Sequence, residues 1–333
     1  MAGSLVLYDH LAASDATPLE LADRAGVHPR YAREWLEQQA AAGLIDLTAD
    51  ADDPDQRRFA LSAAAQECLV RPESLASIGP LFDFLPSLSR VYPLLVDVFR
   101  NGGGIPYSDY GVHDAQGDFN RPAFLHLLGR EWLPRVPGLA DRLATAPARV
   151  AEIGCGEGWA AIAIAQAWPN VEVHGFDNDE ASIAAARKHA AGAGINGRLR
   201  FEVVDVTADL PERIQKGAYD AVLAFEVIHD LARPQDALAT MRALGKPDAV
   251  HLVVDEKTAD AFEAPTENPI ERFFYAASVL HCLPVGMADS PSAGTGTVMR
   301  PATLQGYADR AGFSAVDILP IEHDMFRFYQ LVG

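Results

Sequence analysis

Cysteine is scarce in this chain: there are three in 333 residues, Cys68, Cys155 and Cys282, and they stand far apart. Neither a disulfide framework nor a four-cysteine zinc site can be built from them, and a reducing cytoplasm is the expected compartment. Basic residues are scarce as well, with 27 Lys and Arg against 46 Asp and Glu, for a net charge of −19. A charge of that sign repels phosphate backbones and anionic lipid surfaces, so neither nucleic acid nor a membrane is expected as partner. A run of about 18 uninterrupted apolar residues, enough to span a bilayer, is missing, and no basic stretch precedes an apolar one at the start. The chain is expected to be soluble and unexported. Apolar residues are plentiful, at 49% of the chain, which is more than one small core absorbs and points to two domains.

Residues 1–75 open with Thr17-Pro18-Leu19-Glu20, in which Thr17 is placed to cap a helix, Pro18 to sit at its first position and Glu20 to close a capping box. That helix is expected to stop near Gly26. A second carries Tyr31, Trp35, Leu36 and Gln39 at helical spacing until Gly43. Two strand-like runs follow, Leu44–Leu47 and Arg58–Leu61, separated by an acidic stretch from Asp50 to Gln56. The order is that of a winged helix-turn-helix, whose second helix would read DNA. The charge points elsewhere, because residues 1–75 hold thirteen acidic side chains against six arginines. A DNA footprint needs the opposite sign, so the reading favoured here is a dimerisation or substrate-capping module.

Residues 76–145 are rich in Leu, Phe and Pro, include the apolar helical stretch Leu94–Phe99, and are read as a helical linker. Within them, Asn101 to Gly111 contains three consecutive glycines followed by Tyr107 and Tyr110. Such a loop is either a lid that closes over a ligand, with both tyrosines on the substrate, or an ordinary surface connection. The apolar surface of the front domain and linker exceeds what one core requires, so a homodimer with intertwined front domains is expected.

Residues 146–333 alternate short apolar strands with helical segments, the pattern of a mostly parallel sheet. Strands are expected at Arg149–Gly154, Val171–Phe176, Leu199–Val204, Tyr219–Phe225 and Ala249–Asp255. Runs near Ser314–Leu319 and Met325–Val332 would complete seven.

The first strand runs into Glu152-Ile153-Gly154-Cys155-Gly156-Glu157-Gly158, with a helix starting at Trp159. A dinucleotide fingerprint places its third glycine one residue later, and no Lys-Ser/Thr pair ends the loop as in a phosphate loop. Gly154, Gly156 and Gly158 let backbone approach a ligand closely, and Glu152 suits a cation and repels a pyrophosphate. S-adenosylmethionine (SAM), with its amino group and sulfonium, meets those terms. Asp177 and Asn178 end the second strand, nineteen residues beyond Gly158. An acid there can accept from a ribose diol. After the third strand, Asp205 can accept from an adenine amine, and Val206 can offer its backbone N–H to a ring nitrogen. Each acid taken singly also reads as a helix cap.

On these residues the chain resembles class I SAM-dependent methyltransferases over about 146–333. With the front domain it is similar to the winged-helix small-molecule methyltransferases of actinobacterial secondary metabolism. The resemblance implies an α/β, Rossmann-like seven-stranded sheet behind a helical winged-helix-like domain. It assigns Glu152 and Gly154 to the methionine end of SAM, Asp177 to its ribose and Asp205 to adenine, with Phe225 also beside the cofactor. Glu157 departs from the Thr or Ser often found at its position. In the family, a residue just past the fourth strand faces the transferred methyl. The sequence there is Phe225-Glu226-Val227-Ile228-His229-Asp230. His229-Asp230 resembles the His-Asp pair of O-methyltransferases, with the histidine as general base for a small-molecule acceptor; as structure alone, Asp230 is a helix cap. His281 lies in an apolar helical insertion expected to end at Pro284 and to roof the substrate pocket. No resident metal is expected. The alternative is His229 and His281 as ligands of a metal that assists C-methylation of an α-keto acid. A SAM-responsive regulator and a non-methylating SAM enzyme are further alternatives.

Overall fold

A computed structural model describes residues 6–144, 147–195 and 197–333. The boundary expected at 145/146 lies outside the described residues. The chain divides into two compact units, one of residues 1–86 with 118–122 and one of 87–117 with 123–333. The segment read as a linker is thus shared between them.

In the first unit, helices α1 (Leu7–Ala13), α2 (Pro18–Ala25) and α3 (Pro29–Ala41) precede a hairpin of β1 (Asp46–Ala49) and β2 (Arg58–Ala60), and α4 (Ala63–Leu69) follows. The capping box forms as expected: the Thr17 hydroxyl accepts from the Glu20 N–H, and the Glu20 carboxylate accepts from the Thr17 N–H at 2.9 Å. Gly26, left-handed at φ +65°, ends α2. The first wing strand starts two residues later than Leu44, because the turn after α3 extends through Gly43 to Ile45. Tyr8, Leu11, Leu21, Leu36 and Phe59 form the core of this winged helix-turn-helix.

The second unit begins along α5 (Phe84–Asn101) and continues through α6 (Tyr107–Tyr110), α7 (His113–Ala123), a π-helical segment (Phe124–Trp132) and α8 (Leu139–Ala144). The alternating part then follows: β3 (Ala148–Ile153), α9 (Trp159–Ala167), β4 (Val171–Asp177), α10 (Glu180–Gly192), β5 (Leu199–Val203), β6 (Tyr219–Phe225), α11 (Pro234–Leu244) and β7 (Gly245–Glu256). The chain closes with α12 (Pro269–Ala277), α13 (Leu283–Gly286), α14 (Pro301–Ala311), β8 (Ala315–Ile318) and β9 (Phe326–Val332). All seven expected strands are present, in the order β5-β4-β3-β6-β7-β9-β8. The five strands β3 to β7 run parallel, while β9 is antiparallel to β7 and to β8. Strand β6 is buried along its whole length, as a parallel strand covered on both faces must be. The order reverses at β3 and β6, and ligands of open α/β sheets bind beyond the carboxyl ends at such a point. Among the described residues no helix is long and apolar enough to cross a membrane.

The helical insertion that carries His281 departs from expectation, since the helix does not end at Pro284. A π-turn over Ser278–Cys282, closed by the Leu283 N–H on the Ser278 carbonyl, joins α12 to α13. The widened turn takes up the proline at the first turn of α13, where its missing N–H costs no helical bond.

Candidate active site

The glycine loop leaves β3 at the switch point. Gly154 (φ +62°) and Gly158 (φ +80°) are both left-handed, and a Cβ on Gly154 would lie 2.3 Å from a Val227 methyl. Only glycine lets the loop pass this close to the end of β6. The loop is tied down from β4: the Cys155 N–H donates to the Phe176 carbonyl at 3.0 Å, and the Gly156 N–H to Asp177 Oδ2 at 2.8 Å. The other oxygen of Asp177 accepts from the Asp179 N–H at 3.0 Å. A carboxylate oxygen takes two donors, so Asp177 keeps capacity for a diol. Asn178 beside it is exposed.

Glu152 is 2% exposed, and its Oε2 has no hydrogen-bond partner among the described residues. Burial, with the charge of Asp177 behind it, pushes its carboxyl well above the usual range. A buried carboxyl left incomplete at the mouth of a glycine loop matches a ligand that brings an ammonium group, as the methionine end of SAM does. Asp205, past β5, is exposed; its Oδ1 accepts from the Thr207 N–H and hydroxyl, and Arg233 stands 3.6 Å from Oδ2. The Val206 side chain is buried in the core beside β6. Phe225 turns its ring into the opposite core layer, 5.6 Å from Phe124, so any contact it makes with a cofactor runs through its backbone. The donors present fit SAM.

His229 is 2% exposed on a short turn after β6. Its Nδ1 lies 2.7 Å from Asp255 Oδ1 and 3.0 Å from Glu256 Oε2, and its Nε2 lies 3.2 Å from Asp230 Oδ1. Burial alone would lower its pKa, but the charges of Asp255, Glu256 and Asp230 outweigh it and hold the imidazole well above its ordinary value. Asp255 is held below the usual range against its own burial by His229, whereas burial pushes Glu256 well above it, the neighbouring Asp255 charge adding to the rise. The acids around His229 thus favour the imidazolium over the neutral ring.

The loop with three glycines is anchored at two points. The Ile105 N–H donates to the Pro284 carbonyl at 2.9 Å, and Tyr110 is fully buried with its hydroxyl 3.0 Å from the Leu280 carbonyl. Tyr107 donates to Gln116 at 3.0 Å, with its ring edge-on to His113 at 4.8 Å and to His281 at 5.8 Å. Burial raises the Tyr107 phenol well above its usual value, and the charges of Asp177 and Asp230 add to it. That tyrosine thus stands within the field of both the cofactor-side acid and the His-Asp pair. His281 is 6% exposed and sits 4.6 Å from the Tyr110 ring; burial keeps it neutral, and its Nε2 has no hydrogen-bond partner among the described residues.

Among the described residues, the donor sets close enough to hold a metal are His229-Asp230-Cys282 and His229-Asp255-Glu256, each within 4.8 Å. His281 joins neither; its Nδ1 is instead 3.6 Å from Cys282 Sγ. The His229–His281 pair, the alternative to the expectation of no resident metal, thus does not share one donor set among the described residues. Asp255, Glu256 and Cys282 were not singled out from the sequence. The first two stand at the carboxyl end of β7, hydrogen-bonded beside β6, where the rule for open α/β sheets would have found them. Cys282 carries no such signal.

The family described as "Methyltransferase domain" matches residues 145–281, and that described as "Rv2258c-like winged HTH domain" matches residues 4–71. A Ubiquinone biosynthesis O-methyltransferase of Pseudomonas aeruginosa (strain UCBPP-PA14) is 27% identical over 222 residues, covering 66% of this chain and 85% of that protein. The solved Mitomycin 7-O-methyltransferase MmcR superposes with a TM-score of 0.73 at 19% identity, covering 99% of this chain and 91% of that one. Human N-acetylserotonin methyltransferase, solved in complex with SAM, gives a TM-score of 0.70 at 17% identity, covering 100% of this chain and 92% of that one.

Proposed function

We propose, from the premise that this chain is a SAM-dependent methyltransferase with an N-terminal winged helix-turn-helix domain, that it methylates a hydroxyl of a small molecule of secondary metabolism. SAM supplies an electrophilic methyl group. Glu152 and the backbone at Gly154, Gly156 and Gly158 would hold its methionine end, Asp177 and Asn178 its ribose, Asp205 and Val206 its adenine. His229 would take the proton from the acceptor hydroxyl, while Tyr107, Tyr110 and His281 wall the acceptor in.

The observation that carries this reading is the clamp on His229. Asp255 and Glu256 engage Nδ1, which fixes the ring and leaves Nε2, on the Asp230 side, as the nitrogen that takes a proton. Asp230 and Asp255 make the surroundings anionic, which favours a neutral hydroxyl acceptor over a carboxylate one. The base form is the neutral ring. Since the neighbouring acidic groups raise its pKa, the neutral fraction grows as pH rises above neutrality, and turnover should climb with it. His229→Ala should lower turnover by roughly 10²–10⁴ with SAM affinity unchanged by calorimetry. A variant that keeps wild-type turnover would refute the base role.

A second reading is favoured by the clustered trio His229, Asp230 and Cys282, of which His229 and Cys282 are buried. An ion held there would offset the acids and bind an α-keto acid, promoting methylation at carbon. Stoichiometric metal lost in His229→Ala, with activity abolished by a chelator, would replace the first reading by this one.

For the front domain, residues 1–75, we propose dimerisation or capping. All six of its arginines face carboxylates: Arg24 with Glu20, Arg30 with Glu34, Arg33 with Asp55, Arg57 with Glu37, Arg58 with Asp15, and Arg71 with Glu67. Phosphates would have to displace those partners.

A further inference from the structure

Four of the parallel strands begin at Ala148, Val171, Leu199 and Tyr219, at the edge of the sheet opposite the glycine loop. The crossover 204–218 from β5 to β6 carries no helix. Here the sheet bears polar groups where aliphatic ones are usual: His174 Nδ1 lies 2.8 Å from the Tyr219 hydroxyl, and His174 Nε2 lies 3.0 Å from Glu202. A cavity of about 140 Å³ opens at this edge, lined by Arg149, Arg198, Arg200, His174, Tyr219 and Glu172.

Three guanidinium groups on one cavity are notable in a chain of net charge −19. Arg198 is fixed by the carbonyls of Ala165, Trp168 and Val171, which leave its charge uncancelled. Arg149 lies over the Tyr219 ring at 4.9 Å, and neither it nor Arg200 has a carboxylate within 4.0 Å among the described residues. Both act electrostatically on His174 and on Tyr219, so their charges converge on the same place. Glu202, which would oppose them, is held by Arg213 at 2.8 Å. Glu172 is the remaining acid on the rim and is exposed.

We propose that this cavity is a binding site for a small phosphate-bearing anion, separate from the methyl-transfer site. Guanidinium groups hold phosphate oxygens through paired N–H bonds, and the cavity has room for one such group beside Arg149 and Arg200. Calorimetry on the full chain, with ionic strength held by chloride, tests it with inorganic phosphate and with glycerol 3-phosphate as probes. Saturable binding is expected, weakened at least about tenfold in Arg149→Gln and in Arg200→Gln. Arg142→Gln, which breaks a surface pair with Asp248, should leave it unchanged. SAM binding by each variant verifies the fold, and the exposed Arg200 is the substitution least able to disturb it. Tighter binding of the ester identifies a phosphorylated metabolite; equal binding identifies the oxyanion itself. No saturable heat with either probe, or equal affinity in the wild type and all three variants, would overturn the proposal.

Discussion

His229 and His251 are both buried histidines, and their surroundings drive them in opposite directions. Three acidic side chains surround His229, while His251, 5% exposed in β7 with its ring 5.1 Å from Phe313, is pushed down to about 4 chiefly by burial. A folded-state pKa below the unfolded value near 6.5 means the unfolded chain gains a proton first. Stability is therefore lost as pH falls from about 6.5 towards 4, by about 3 kcal/mol if the full shift applies. His251→Phe should flatten that acid limb in urea titrations; an unchanged limb would assign it to other groups. Asp177 makes a second residue-scale case. Asp177→Ala should cost on the order of 1.5–3 kcal/mol of SAM binding through lost charge-assisted hydrogen bonds, a fall of at least about tenfold in affinity. Unchanged calorimetric affinity would contradict its place in the cofactor site.

At the scale of elements, the segment from Gly104 to Tyr110 is the one that, on the proposed function, walls in the acceptor. A Cβ on Gly104 would meet the Pro284 carbonyl oxygen and the Ala288 nitrogen at 2.2 Å, both backbone atoms that cannot turn aside. Gly104→Ala should unseat the strap from α13 at a cost of about 1–3 kcal/mol. We expect a raised KM for the acceptor with unchanged SAM affinity, because the glycine loop after β3 has its own anchors on β4. Equal losses in both would mean that the strap also shapes the cofactor site.

For the molecule as a whole, the exposed face of α5 is the feature the two cores leave unexplained. Tyr92 and Phe99, seven residues apart on one helix, are 63% and 66% exposed, while Val91 and Leu95 of the same helix are buried. Large aromatics left in water at a two-turn repeat suit a helix that pairs with a second copy of the chain. A homodimer at micromolar concentration is the expected state, and Tyr92→Glu with Phe99→Glu should convert it to a monomer by light scattering. A monomeric wild type would defeat the expectation.

The strand pattern and the switch-point acids were legible in the sequence because parallel strands buried on both faces read as apolar runs, and because glycine loops and strand-end acids are local features. The capping box at Thr17 and Glu20 was legible for the same reason, since its partners are three residues apart. What surrounds His229 was not. Asp255, Glu256 and Cys282 are 26, 27 and 53 residues away along the chain, and only the pairing of β6 with β7 and the fold of the roof bring them together. Sequence fixes which groups are able to carry charge. Which of them share one buried space, and so whether an imidazole there rests neutral or protonated, is decided by tertiary packing, because the energies that shift a pKa fall off within a few ångströms.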